Sequence, residues 1–251
     1  MERNYGCIMK VIQKLILYSL ALLGLIVGSA HAQTILLDKH TDQDTVQSDW
    51  GPNRKHYLRL YMGFGFIVGA SDDDMPVKYG NSVEFPIGLR YKYRLNQRFS
   101  VGADLGFRVQ WYRLKQDSSK KLPTPVQYDR ELFNPGYVEL HPYLRINLDK
   151  HRGNVIGKFI DLGAGLSIPV QKRSVQEYKE EPNGFRVLKT YRRLDFYESL
   201  QAHAYMRVGV KWFIVYAHYR LTPMFDESKM KSYFGGAAQL PNLSMGVQVN
   251  F

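Results

Sequence analysis

The chain has 251 residues, a formal net charge of +11 and a hydrophobic fraction of 45%. This apolar content excludes a disordered chain, and the length allows one large β domain or two modest ones. The basic residues are spread along the whole chain rather than gathered in one arm. That distribution argues against a nucleic-acid partner, which a concentrated basic patch would favour.

The first 32 residues have the features of a cleaved signal peptide. Lys10 and Lys14 form a basic region, and a mostly apolar run follows from Leu15 to Val27. Ala30-His31-Ala32 then matches the small-x-small cleavage pattern. The apolar run is short for a membrane-spanning helix, which needs about 20 residues. We therefore predict a secreted protein.

The only cysteine of the chain, Cys7, lies inside this predicted signal peptide. The mature chain is therefore expected to have no disulfide. Translation starts at Met1 or Met9, and Met9-Lys10 resembles the opening of a signal peptide more closely. The polar residues 33–55 show little periodicity and are predicted to form a leader.

From residue 56 the chain alternates between apolar and polar positions. A two-residue repeat places successive side chains on opposite faces of a sheet, whereas a helix needs recurrence at three and four residues. The pattern predicts eight strands, at about residues 58–68, 83–93, 99–111, 138–148, 160–168, 200–208, 213–221 and 243–251.

Short and long connections alternate between these strands. Asn96-Gln97, residues 149–154 and residues 209–211 are short turns, whereas the other four connections span about residues 69–82, 115–136, 171–195 and 226–241. Membrane β-barrels have short turns at one end and long loops at the other. The pattern therefore predicts a closed antiparallel transmembrane β-barrel over residues 56–251.

A soluble β-barrel also alternates, but two features favour the membrane. The charged face is rich in glycine, which suits a crowded interior better than a solvated surface. The apolar face carries aromatic residues near the strand ends, as the interfacial girdles of membrane barrels do. The predicted girdle consists of Tyr91, Tyr93, Phe99, Phe213 and Phe251 at the turn end and Trp111 at the loop end.

Charged residues fall on the face that would line the interior. Since an eight-stranded interior is just wide enough to be filled by side chains, we predict that they form a network of ion pairs that plugs the barrel. The residues of this predicted lumen charge network are Arg59, Glu84, Arg90, Asp104, Arg108, Glu139, Arg145, Asp161 and Arg207. The surplus of basic groups leaves an anion-preferring pore or binding pocket as an alternative.

The signal peptide, the alternating strands and the final strand ending in Phe251 resemble the small outer-membrane β-barrel proteins of Gram-negative bacteria. The resemblance covers about residues 56–251. It implies an outer-membrane location, a periplasmic leader at residues 33–55, contact with membrane lipids and lipopolysaccharide, and recognition of Phe251 by the barrel-assembly machinery. The family includes structural proteins, adhesins, small pores and a few lipid-modifying enzymes.

No motif for catalysis, a cofactor or a metal is present, and none is predicted. A lipid A acyltransferase or deacylase would need a histidine with a serine and a carboxylate near the outer rim or lipid face. His141, His203 and His218 instead face inward by alternation, and no outward His-Ser pair appears. We therefore predict a non-enzymatic structural or interaction protein, with a lipid-modifying enzyme as a further alternative.

The connection at about residues 171–195 carries more basic than acidic residues. On the outer surface it would lie beside lipopolysaccharide phosphates, which arginine binds bidentately and lysine binds as a point charge. The sequence thus suggests that Lys189, Arg192 and Arg193 contact anionic lipid head groups. The alternative is an ordinary solvated loop.

Overall fold

The computed structural model describes residues 48–149, 153–180 and 185–251 of the chain, so the predicted signal peptide and most of the leader lie outside the described residues. The described chain is almost entirely β. Its elements are β1 (His56–Ile67), β2 (Val83–Arg94), β3 (Phe99–Arg113), β4 (Arg130–Phe133), β5 (Gly136–Asn147), β6 (Lys158–Gln171), β7 (Arg173–Glu180), β8 (Phe185–Arg192), β9 (Gln201–Val210), β10 (Phe213–Arg220), α1 (Glu227–Phe234) and β11 (Leu243–Asn250).

Eight of these strands form a closed antiparallel barrel. The order around it is β1, β2, β3, β5, β6, β9, β10 and β11. Pairing of β11 with β1, for example Gly246 with Gly65, closes the ring. The eight strands predicted from alternation are thereby confirmed, and so is the closed antiparallel fold.

The two faces of the barrel are inverted relative to a soluble protein. The outward positions are apolar and exposed, including Leu89, Leu105, Leu140, Leu166 and Val215, each about half exposed. The inward positions are polar or charged and buried. An apolar outer band around a polar interior is the arrangement of a transmembrane barrel. In the described residues, no helix is long and apolar enough to cross a membrane.

The connection at residues 171–195, predicted as a loop, is largely an extension of the barrel wall. β6 continues to Gln171, and β7 and β8 form a hairpin that pairs through β4 with the end of β3. The sequence predicted a long connection here but not this hairpin, because the prediction relied on hydrophobic alternation. Nearly all side chains of β8 are exposed, so its backbone pairing leaves no apolar-polar repeat.

The long connections also build an apolar core at the loop end of the barrel. Phe225 lies at its centre, with its ring centroid 4.9 Å from that of Tyr197 and 5.3 Å from that of Phe196. Met230 of α1 is fully buried in the same core, and Asp226 caps this helix by accepting from the backbone N–H of Ser228. The loops therefore pack over one another instead of extending separately into solvent.

The described part of the leader lies against the turn end of the barrel. The backbone N–H of Asn53 donates to Asn154 Oδ1 at 3.0 Å. Lys92 and Arg94, near the end of β2, donate to the carbonyl oxygens of Pro52 and Asn53. These contacts attach residues 48–55 to the turn end.

Candidate functional site in the lumen and at the loop end

The lumen is built from inward positions that face each other on paired strands. Direct cross-strand neighbours include Arg90 with Asp104 and Arg145 with Asp161. All nine residues of the predicted lumen charge network are buried. Buried charges are tolerated only when they are paired and hydrogen-bonded.

The turn half of the lumen contains a chain of ion pairs. Arg90 donates to both carboxylate oxygens of Asp104, with Nη2 to Oδ2 at 2.8 Å. Arg207 reaches across the lumen to the same Asp104 oxygen and lies 3.3 Å from Asp161. Arg145 donates to Asp161 at 2.6 and 2.8 Å. Asp104 on β3 therefore connects one wall of the barrel to the opposite wall.

The loop half contains a second network centred on Arg108. Its Nη2 lies 2.6 Å from Glu139 Oε1, and its Nη1 donates to Glu84 at 3.2 Å. Glu84 also accepts from Tyr216 Oη at 2.8 Å and from Gln110 at 2.8 Å. Every charged side chain of this network thus has at least one partner of opposite charge.

Arg59 is the exception in the predicted network. It is 4% exposed, yet its Nη1 and Nη2 atoms have no hydrogen-bond partner among the described residues. Its guanidinium lies near the rings of Tyr57 and Phe159, with centroids at 5.6 and 5.9 Å, and Arg90 is its direct cross-strand neighbour. Within the part of the chain that the structure describes, the guanidinium of Arg59 therefore has no ion-pair partner.

Aromatic rings fill the remaining lumen space by lying over glycines. A Cβ atom added to Gly106 would lie 2.4 Å from Tyr61 Oη, and one added to Gly102 would lie 2.5 Å from the Tyr143 ring. The Tyr61 ring also stacks below Arg90, whose guanidinium carbon is 4.5 Å from its centroid. A cavity of about 30 Å³, which is the scale of one water molecule, lies between the two networks, with Asp104 and Arg108 both in its wall.

Three histidines meet in the loop half of the lumen, which alternation alone did not reveal. The ring centroids of His203 and His218 are 4.4 Å apart, and His141 lies 5.9 and 5.6 Å from them. His203 Nε2 lies 2.5 Å from Ser167 Oγ, and both side chains are buried. The sequence placed each histidine inside the barrel, but their proximity depends on the register of neighbouring strands.

The predicted girdle residues lie on or near the outer face. Phe213 and Phe251 are at least half exposed, Phe99 is 37% exposed, and the others are partly buried. Tyr91 Oη lies 2.7 Å from His56 Nδ1. Trp50 and Trp212, each 56% exposed, are two further large aromatic residues near the turn end that were not among the predicted girdle residues.

The predicted head-group residues lie on or directly after β8, the outermost strand of the extension. Lys189, Arg192 and Arg193 are all exposed. Lys189 Nζ lies 5.1 Å from the Tyr178 ring centroid, and a hydrogen bond to Tyr178 raises the pKa of this lysine. Arg193, just after β8, adopts a left-handed backbone with φ 58°. The three side chains are therefore open to solvent at the loop end.

A cavity of about 320 Å³ opens between this extension and the apolar core of the loops. A buried ion pair, Lys120 with Glu131 at 2.5 Å, fixes the neighbouring loop to β4. The cavity has five aromatic rings and several hydroxyl and amide groups in its wall, which comprises Pro123, Thr124, Tyr128, Phe133, Ser174, Gln176, Tyr191, Leu194, Phe196 and Phe234. A concave, mostly apolar wall with a few polar groups is typical of small-ligand sites.

No protein-family model matches the chain, and no curated protein matches it. Among solved structures, it is similar to Ail, the attachment invasion locus protein of Yersinia pestis. A structure of Ail with the heparin analogue sucrose octasulfate is 11% identical, with 77% of this chain and 97% of that chain covered and a TM-score of 0.35. A structure of Ail alone is 14% identical, with 78% and 99% covered and a TM-score of 0.34.

These values indicate low similarity. The architecture is therefore assigned from the strand pairing of this chain and from the difference between the outer and inner faces of its barrel. The eight strands close through β1 and β11. The outer face is apolar, and the interior is filled by paired charges and aromatic rings. The chain is an eight-stranded antiparallel transmembrane β-barrel with a side-chain-filled lumen.

Proposed function

We propose that the protein is a non-enzymatic barrel of the bacterial outer membrane that acts through its loop end and does not conduct. The observation that carries this proposal is the filled lumen, whose charges are bonded across the barrel through Asp104 and Arg108. The loop end offers the structured extension and the 320 Å³ cavity as an interaction surface. In this proposal the turn end faces the periplasm and the loop end faces outward.

Planar-bilayer recording of the purified full-length protein tests the filled lumen. We expect no stable conductance steps, because the ion pairs and aromatic rings leave no continuous aqueous path. An open porin in the same bilayer shows that the assay detects channels. Steps of uniform size whose frequency rises with protein concentration would contradict the proposal. Anion-selective steps would support the alternative of an anion-preferring pore, which is favoured by the two Arg59 nitrogens that have no hydrogen-bond partner among the described residues.

Lipid contact at the loop end has a separate test. We expect the combined variant Lys189→Gln, Arg192→Gln and Arg193→Gln to bind lipopolysaccharide more weakly by about 1–2 kcal/mol, since exposed ion pairs contribute up to about 1 kcal/mol each. The difference should shrink at high salt, because salt screens exposed charges. Binding is measured by titration at low and high ionic strength.

A matched control removes the same charge from the other end of the barrel. Lys55, Arg98 and Lys158 are also exposed but lie at the turn end. Their combined replacement by glutamine should change lipopolysaccharide binding less than the loop-end variant does. Equal losses from both variants would show a general effect of net charge and would refute a head-group site on β8.

A further inference from the structure

The three lumen histidines hold nitrogen atoms that the fold leaves without partners. His141 Nε2, His203 Nδ1 and His218 Nε2 are buried and have no hydrogen-bond partner among the described residues. Buried polar atoms are normally hydrogen-bonded, and each exception calls for an explanation. These three atoms lie in one cluster of rings rather than in separate parts of the barrel.

A carboxylate completes this cluster. One ligand atom each from Glu139, His203 and His218 lies within 4.8 Å of the other two. Tetrahedral zinc with ligands at about 2.1 Å brings its ligand atoms about 3.4 Å apart, so small side-chain rotations suffice to close the site. His141 Nε2 lies 3.7 Å from Glu139 Oε2, but His141 is not part of the group whose ligand atoms lie within 4.8 Å of one another, so it borders the three ligands.

We propose that Glu139, His203 and His218 bind a divalent late transition-metal ion such as Zn²⁺ inside the barrel. Imidazole nitrogen and carboxylate oxygen are ordinary ligands of these ions. The 30 Å³ cavity, whose wall includes Glu139 and His218 but not His203, borders this cluster and has room for one water molecule as a further ligand.

The surrounding residues orient two of the ligands. Ser167 Oγ lies 2.5 Å from His203 Nε2 and can accept its N–H, which leaves Nδ1 free for the metal. A hydrogen bond on the second ring nitrogen is the usual support for a metal-bound histidine. Ser167 thus acts as a positioning residue.

Arg108 determines which tautomer of His218 is present before a metal binds. Its Nη1 donates to His218 Nδ1 at 2.8 Å, so the neutral ring carries its proton on Nε2. Metal binding at Nε2 therefore moves this proton to Nδ1 and breaks the contact with Arg108. Arg108 retains Glu84 and Glu139 as acceptors, and these two carboxylates balance the charge of the guanidinium and part of that of the ion.

The experiment refolds the full-length protein without an affinity tag in detergent, with and without Zn²⁺, and measures bound metal by mass spectrometry after dialysis. Refolding in the presence of metal is needed because the site is enclosed. We expect one bound equivalent of Zn²⁺, and Co²⁺ in its place should give the visible absorption of a tetrahedral site. No stoichiometric binding by the folded wild type would overturn the proposal.

Four variants localise the site. His203→Gln and His218→Gln should each weaken binding about tenfold or more, and Ser167→Ala should weaken it about tenfold, as loss of a supporting hydrogen bond does elsewhere. His56→Gln, on the outer face, should bind as the wild type does. Heat-dependent gel mobility establishes that each variant is folded. Equal binding by folded wild type, His203→Gln and His218→Gln would refute the assignment.

Discussion

Asp104→Asn should lower the free energy of unfolding of the barrel by about 3–5 kcal/mol, the cost of removing one member of a buried ion pair. Asp104 is 2% exposed and receives hydrogen bonds from Arg90 and Arg207, which come from different walls of the barrel. Removing the negative charge of Asp104 leaves the buried guanidinium groups of Arg90 and Arg207 with less opposite charge nearby. Urea unfolding in lipid vesicles, followed by gel mobility and tryptophan fluorescence, measures the change.

Two further variants separate this effect from a general one. Asp73→Asn removes the same charge at an exposed position of the loop end and should change stability by less than about 0.5 kcal/mol. The double variant Asp104→Asn with Arg207→Gln should be less destabilised than the sum of its single variants, because both remove the same interaction. Additive losses would show that the two side chains are not energetically coupled.

Gly102→Ala should destabilise the barrel by about 1–3 kcal/mol through overpacking. The added Cβ would lie 2.2 Å from the carbonyl oxygen of Tyr91 on the neighbouring strand and 2.5 Å from the Tyr143 ring. The backbone oxygen belongs to the β2–β3 ladder and cannot move away without breaking strand pairing. The same urea titration measures this loss.

Gly153→Ala is the matched control, since a Cβ there meets no atom within 4 Å. Its stability should remain within about 0.5 kcal/mol of the wild type. A Gly102→Ala variant as stable as Gly153→Ala would mean that the lumen tolerates added volume. That outcome would also weaken the case for a filled, non-conducting interior.

Strand number, faces and the charged interior were predictable because hydrophobic alternation encodes them directly. Arg90 and Asp104 could be placed inside the barrel from the sequence, yet their pairing required the register of β2 against β3. The proximity of His141, His203 and His218 could not be predicted for the same reason. These residues come from three strands, and hydrophobic alternation does not determine the register between strands.

The hairpin of β7 and β8 escaped prediction for a different reason. Its strands are held by backbone hydrogen bonds and carry few buried side chains, so no hydrophobic repeat marks them. Residues such as Met75, Phe196 and Phe225 did indicate a core among the long connections, because large apolar side chains in a loop are normally buried against other residues. These residues lie in or beside connections for which no core was predicted.

The pairing of β11 with β1 also governs the order in which the chain can assemble. These strands are the first and last of the barrel, so the residues that pair are far apart in the sequence. Contacts between such distant residues form slowly, and closure of the barrel is therefore expected to be slow. Until β11 arrives, β1 and β10 each present an unpaired edge, and unsatisfied backbone groups are costly in lipid. Synthesis of the final strand is thus a precondition for stable insertion, and a chain truncated before Leu243 is expected to remain outside the bilayer.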